Sequence, residues 1–272
     1  MKLGICLPGN FQLENSIAKE ESELVRALVD GYCFIKESGY DYIEFSVGNL
    51  MAMSGEDMEK AAGYYEQGLV KVEACNGFIP GTLKLVGEEV NLPEIQAYLE
   101  EALKRAAALG VKVVVFGSGT ARRIPEGFPA AKAREQLDAF MTLAESIARP
   151  LGITIVIEPL NHKETNVFLT VAESSEVVRR LNLPNLKVLA DLYHTYVEKE
   201  EPQILIENAD ILCHVHVAEP EMRGVPVEHP YLEACGKALR TAGYEGRVSI
   251  ECGAKDYIPD MLGALPIMRK LF

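Results

Sequence analysis

The chain has 272 residues, 48% of them apolar and 25% charged, with 22 glycines and 14 prolines, a composition that supports a sizeable buried core and argues against a disordered or low-complexity class. Its formal charge of −13 opposes nucleic acid as a partner, because that binding rests on clustered cations that neutralise phosphates. No run approaches the roughly 18 consecutive apolar residues of a membrane-crossing helix, and the start reads directly into a strand rather than a signal peptide, so a cytoplasmic protein without membrane contact is expected.

Short runs rich in Val and Ile alternate with stretches of helical period. In chain order they predict a strand at 3–7, a helix at 22–38, strands at 42–47 and 70–75, a helix at 92–109, a strand at 112–116, a helix at 130–149, a strand at 153–158, a helix at 171–181, strands at 187–191 and 212–217, a helix at 231–242, a strand at 247–251 and a last helix near 256–271. Gly39, Gly110 and Gly152 stand just before strands, where helices that end in a left-handed cap need glycine. Eight such strands with right-handed crossovers either close into a barrel or form an open doubly wound sheet. Even spacing favours closure, and the first turn, Leu7-Pro8-Gly9-Asn10, lacks the glycine fingerprint of a dinucleotide-binding sheet. The predicted fold is α/β: a single (β/α)8 TIM barrel over residues 1–272, close to the usual length of about 250. The six cysteines, Cys6, Cys33, Cys75, Cys213, Cys235 and Cys252, show no CxxC spacing, so neither a disulfide framework nor a zinc knuckle is expected.

Alternate residues of a barrel strand face its interior. In 153–158 the isoleucines Ile153, Ile155 and Ile157 form the outer face, which turns Thr154, Val156 and Glu158 inward. The same reading puts Lys187, Leu189 and Asp191 inside, with Val188, Ala190 and Leu192 outside. It places His214 and His216 inside against an outer set of Cys213, Val215 and Val217, and Ser249 and Glu251 inside against Val248, Ile250 and Cys252. Four consecutive strands therefore end in inward ligand-type groups at the C-terminal mouth, the end where such barrels keep their active sites. One strand-end carboxylate is more often a solvated terminus or a helix cap; shared parity on four strands carries the functional reading. Buried carboxylates cost several kcal/mol each in desolvation and repel one another, and a divalent cation relieves both penalties. Three carboxylates and one imidazole suit Mn²⁺, Mg²⁺ or Co²⁺, with Zn²⁺ possible. His214 is set behind the ligands or toward substrate rather than on the ion.

These residues resemble the xylose isomerase-like TIM-barrel family, and within it the ketose 3-epimerases of the tagatose and psicose type. The segment Glu158 to Glu164, the Asp191-x-x-His194 pair, the His214-x-His216 strand and Ser249-Ile250-Glu251 are similar to family motifs. The resemblance implies one divalent metal held by Glu158, Asp191, His216 and Glu251, with Glu158 and Glu251 also acting as catalytic base and acid. It implies that Glu164, His194 and Arg223 contact a small sugar or sugar-derived substrate, and that the protein forms a homodimer or homotetramer. The implied reaction is 3-epimerisation of a ketose or related keto-sugar through a metal-bound cis-enediolate. Asn161-His162-Lys163-Glu164 departs from the family's Asn-Arg-Phe-Glu, leaving room for a substrate other than a free ketohexose. Arg122 and Arg123, after the fourth strand, are placed to receive a carboxylate or phosphate, unless they are simply solvated. Alternatives on the same ligand set are an aldose–ketose isomerase of the hydroxypyruvate type and an inosose-type dehydratase. A relative of the apurinic-site nucleases is disfavoured by the acidic charge and by only five histidines. A silent sugar-binding protein has little use for two metal-bound carboxylates flanking its ligand.

Overall fold

Eight parallel strands, β1 (Lys2–Cys6), β2 (Tyr42–Ser46), β3 (Val72–Asn76), β4 (Val113–Phe116), β5 (Thr154–Ile157), β6 (Leu186–Asp191), β7 (Leu212–Val217) and β8 (Arg247–Ile250), close in sequence order, with β8 paired back onto β1, in a computed structural model that describes residues 1–272. The connections carry α1 (Glu23–Ser38), α2 (Val47–Ala52), α3 (Gly55–Glu66), α4 (Leu92–Ala108), α5 (Gly119–Arg122), α6 (Ala130–Ala148), α7 (Val171–Leu181), α8 (Leu192–Val197), α9 (Gln203–Glu207), α10 (Pro230–Thr241) and α11 (Tyr257–Leu271). This is a (β/α)8 TIM barrel, as the alternation of elements predicted. Left-handed backbone at Gly39 (φ 95°) and Gly152 (φ 70°) ends the turns before β2 and β5, a conformation that any Cβ would strain. No helix is long and apolar enough to cross a membrane.

The sequence pattern does not mark α3 or the short α2, α5, α8 and α9. In α3 only Met58 and Ala61 are buried, too few to mark a 3.6-residue period. Its start is nevertheless fixed by the Ser54 side chain, which accepts a hydrogen bond from the Asp57 N–H, and by Glu56 and Asp57 at the positive end of the helix.

Two apolar layers follow from strand alternation. An outer cluster of 70 buried residues, Ile153, Ile155, Ile157, Val188 and Val215 among them, seals the strands against the helices. An inner cluster of Tyr42, Ala74, Val113, Val115, Val156 and Leu189 fills the barrel. Cys213, read as outward, packs instead against the inner cluster. The cause is an extra residue in β7: Val188 pairs with Leu212 and Leu189 with His214, so Cys213 has no partner in the register. A matching irregularity in β3, where Ile43 pairs with Val72 and Glu44 with Ala74, frees Glu73. At the N-terminal end of the barrel its carboxylate meets Lys2 Nζ at 3.0 Å and Arg247 Nη2 at 2.7 Å.

Candidate active site

Glu158, Asp191, His216 and Glu251 each bring one donor atom to the C-terminal mouth, all within 4.8 Å of one another. Glu158 and Glu251 lie one residue beyond β5 and β8. Their N–H groups bond to the carbonyls of Phe116 and Val217, both at 3.1 Å, which extends the ladder by one residue and keeps the two side chains in the inward register. Asp191 caps α8: its Oδ1 accepts from the N–H groups of Tyr193 (2.8 Å) and His194 (3.3 Å), while Oδ2 is buried without a partner. Glu158 Oε2 occupies the space that a Cβ on Gly117 would fill, so the residue following β4 must lack a side chain for the carboxylate to stand there.

His216 is fully buried. Its Nε2 lies 2.9 Å from Glu44 Oε1, and its Nδ1 lies 3.0 Å from Glu158 Oε1 and 3.5 Å from Glu251 Oε2. Without a cation, burial opposes charging of this imidazole, but the Glu44 and Glu251 charges outweigh burial and hold its pKa well above the ordinary histidine value. The imidazolium then supplies the positive charge the carboxylates need. Burial and the nearby Glu251 raise the Glu158 carboxyl. Glu251 is pulled down to about 2 against burial, by His216 and Arg223. A divalent cation in place of the Nδ1 proton meets the same need with more charge. The residues fit such an ion on three counts: oxygen-rich donors, a buried carboxylate oxygen with no partner, and an imidazole whose far nitrogen is held by a carboxylate, the usual support of a metal-binding histidine.

Glu44 was not anticipated, although Tyr42, Glu44 and Ser46 alternate inward on β2 just as the foreseen residues do on their strands. It is completely buried, accepts from Ser249 Oγ at 2.6 Å and lies 2.8 Å from His214 Nε2. Burial alone would raise its pKa, yet His216 and His214 hold it well below the usual carboxylate range. Of the two places expected for His214, behind the ligands or toward substrate, this arrangement corresponds to the first and not the second. His214 is buried below the mouth with its Nε2 engaged by Glu44, and burial lowers its pKa against the pull of that carboxylate, so it acts as a neutral support.

Three further sequence candidates line the rim. His194 is buried, and its Nδ1 accepts from the Asn161 N–H at 3.2 Å with the Asn161 amide at 2.8 Å. The proton therefore sits on Nε2, which is buried, has no hydrogen-bond partner and lies 3.7 Å from Asp191 Oδ2. Glu164 Oε1 accepts from Asn161 Nδ2 at 3.2 Å and faces Arg223 Nη1 at 3.3 Å. Arg223 also donates to Glu251 Oε2 at 2.9 Å, and its guanidinium lies 5.4 Å from the Tyr193 ring centre. Its backbone is left-handed, φ 55°, unusual for a residue other than glycine. Asn76, at the end of β3, was not foreseen either; it donates to Glu251 Oε1 at 3.0 Å, and only its strand-end position marks it.

Arg122 is the clear correction. Expected at the mouth either as an anion receptor or as a solvated side chain, it is neither: it is fully buried and donates to the carbonyls of Phe116 (2.9 Å), Glu158 (2.8 Å) and Phe168 (3.3 Å). The rings of Phe116 and Phe168 lie 5.5 and 5.4 Å from its guanidinium. A guanidinium enclosed in this way has no face left for a solute anion. Arg123 is exposed and donates to the Glu164 carbonyl at 2.9 Å.

Residues 34–268 match the family described as xylose isomerase-like TIM barrel. The chain is similar to 3-dehydro-D-guloside 4-epimerase of Escherichia coli strain K12, 27% identical over 239 residues that cover 82% of this chain and 86% of that protein. It is also similar to a ketose 3-epimerase of Arthrobacter globiformis, 27% identical over 246 residues, 87% of this chain and 82% of the relative. The crystal structure of a 3-keto-D-glucoside 4-epimerase from E. coli superposes with a TM-score of 0.80 at 22% identity, covering 99% of both chains, a likeness of fold.

Proposed function

This chain belongs to the xylose isomerase-like TIM barrel family, and from that premise we propose that it is a divalent-metal-dependent epimerase that inverts the carbon next to the ketone of a small keto-sugar, 3-epimerisation of a ketose being the leading form. The observation that carries this reading is the cluster of Glu158, Asp191, His216 and Glu251 within 4.8 Å, with Asp191 Oδ2 buried and unpartnered. Mn²⁺, Mg²⁺ or Co²⁺ suits the donor set best, with Zn²⁺ possible. When bound, such an ion acts as a Lewis acid that stabilises negative charge on the substrate's oxygens. Both relatives, by their names, invert a carbon adjacent to a carbonyl, which is the chemistry two facing carboxylates perform.

Glu158 and Glu251 come from strands three apart in the barrel order and so approach the substrate from different sides. One takes the proton from the carbon beside the ketone, giving an enediolate, and the other returns a proton to the opposite face. Each is within hydrogen-bonding reach of groups that tune it: His216 for Glu158, Arg223 and Asn76 for Glu251. The His194 Nε2–H is a free donor for a substrate oxygen, and Glu164 with Arg223 orients hydroxyls.

The test is incubation of metal-loaded protein with ketoses and 3-keto-glycosides in D₂O. The expected result is one deuterium at the inverted carbon and an epimeric product. Deuterium at C2 of an aldose product would assign an isomerase instead, and no exchange with any of the four metals would refute the proposal.

A further inference from the structure

We infer that Arg122 is a positioning residue that fixes Glu158 and the segment carrying Glu164, by clasping three backbone carbonyls around them. This rests on the role given to Glu158 above. Residues 159–170 leave β5 directly after Glu158 and return to α7, carrying Asn161 and Glu164 along the rim. Arg122 Nη2 bonds the carbonyl at the start of this excursion, Glu158, and the carbonyl near its end, Phe168. The Phe168 carbonyl also accepts from the Leu160 N–H at 3.1 Å, so the excursion is closed into a ring with the guanidinium at its neck.

The third acceptor, the Phe116 carbonyl, precedes Gly117, whose missing side chain admits Glu158 Oε2. One cation thus sets the positions of the backbone behind Glu158 and of the residue in front of its carboxylate. Phe168, one of the two rings beside the guanidinium, is left-handed at φ 55°, a conformation that a phenylalanine keeps only where its surroundings hold it. Arg123 ties the outer side of the same segment through the Glu164 carbonyl.

The chemistry selects arginine. Three carbonyls in different directions require a rigid planar fork of donors, which a lysine ammonium on a flexible stem does not reproduce. A buried cation is costly where an apolar side chain of similar volume would fill the space, so its retention beside an acidic site marks a task other than packing. Burial lowers the guanidinium to about 10, opposed by the Glu158, Glu173 and Glu164 charges, and it remains cationic at neutral pH.

The test compares Arg122→Met with Arg105→Met. Arg105 also bonds two carbonyls, of Leu50 and Met53 at 2.7 and 2.8 Å, but none of its acceptors belongs to the site. Three readouts are needed: hydrogen exchange of peptides spanning 158–170 in metal-free protein, Mn²⁺ affinity by calorimetry, and kcat and KM separately. In Arg122→Met, exchange over 158–170 rises, Mn²⁺ affinity falls about 10- to 100-fold, and kcat drops about 100-fold with a smaller change in KM. Arg105→Met loses thermal stability and shows none of these. Arg122→Lys, which keeps the charge but not the fork, gives the same changes at reduced size and decides the question if the methionine variant does not fold. Unchanged exchange and Mn²⁺ affinity in the Arg122 variants, or equal effects in Arg105→Met, would overturn the inference. The exchange result stands whether or not the wild type proves to be an epimerase, so failure of the clasp is distinguishable from failure of the functional reading.

Discussion

Both ends of the barrel concentrate charge, yet they settle it differently. At the N-terminal end the single carboxylate of Glu73 meets Lys2 and Arg247 and, at 3.8 Å, Lys71. Burial would raise that carboxyl, but Lys2 and Arg247 hold it below its usual range, and the account closes within the protein. At the C-terminal mouth Glu158, Asp191 and Glu251 surround one imidazole, while Asp191 Oδ2 and His194 Nε2 are buried without partners. The same physics builds a satisfied plug at one end and at the other a cluster with unpartnered buried atoms that could hold an ion. Polar residues at the bottom of such barrels serve stability, and those at the top serve chemistry.

The largest effects are expected at the mouth. Glu251→Gln and Glu158→Gln each replace a carboxylate proposed to carry the proton with an amide of nearly the same size, and turnover should fall about 10²- to 10⁴-fold with far-UV circular dichroism unaltered. Full activity in either would remove that residue from the mechanism. Gly117→Ala pushes the Glu158 carboxylate from its place, and a shift of about 1 Å there costs on the order of 100-fold in kcat; steady-state kinetics reads this directly. Glu44→Gln weakens the support of His216, so Mn²⁺ affinity measured by calorimetry should drop about 10- to 100-fold, while Tyr42 and Ser249 keep their own hydrogen bond (2.8 Å).

The smallest functional effect belongs to the other end. Glu73→Gln should cost about 1.5–3 kcal/mol in urea unfolding at pH 7, with turnover per folded molecule unchanged; a catalytic loss there would erase the distinction between the two ends. The pH arm follows from linkage. The folded pKa of Glu73 is depressed, so the stability it adds is complete above the unfolded carboxyl value, about 4.3, and disappears as pH falls through the lower folded value. The gap between wild type and Glu73→Gln is therefore full at neutral pH and narrows in acid.

The barrel and the convergence of Glu158, Asp191, His216 and Glu251 at its mouth were legible because both depend on strand alternation, which the sequence carries residue by residue. Glu44 obeys the same rule and was equally readable on β2. Cys213 was not, because one inserted residue in β7 shifts the inward set and nothing in the local composition announces it. Arg122 was misread for another reason: a loop arginine looks solvent-bound until the segment 159–170 is known to fold back and offer it three carbonyls. The orphaned nitrogen of His194 likewise depends on Asn161 arriving from a neighbouring loop, a contact that spacing does not encode.

On the proposed function one divalent ion sits among Glu158, Asp191, His216 and Glu251. An anomalous-difference map from a crystal soaked in Mn²⁺, recorded at the manganese edge, tests it most directly. A single strong peak within bonding distance of all four side chains, including Asp191 Oδ2 and His216 Nδ1, is the expected result. A map with no peak at the mouth, or with Mn²⁺ bound only elsewhere on the surface, would contradict it.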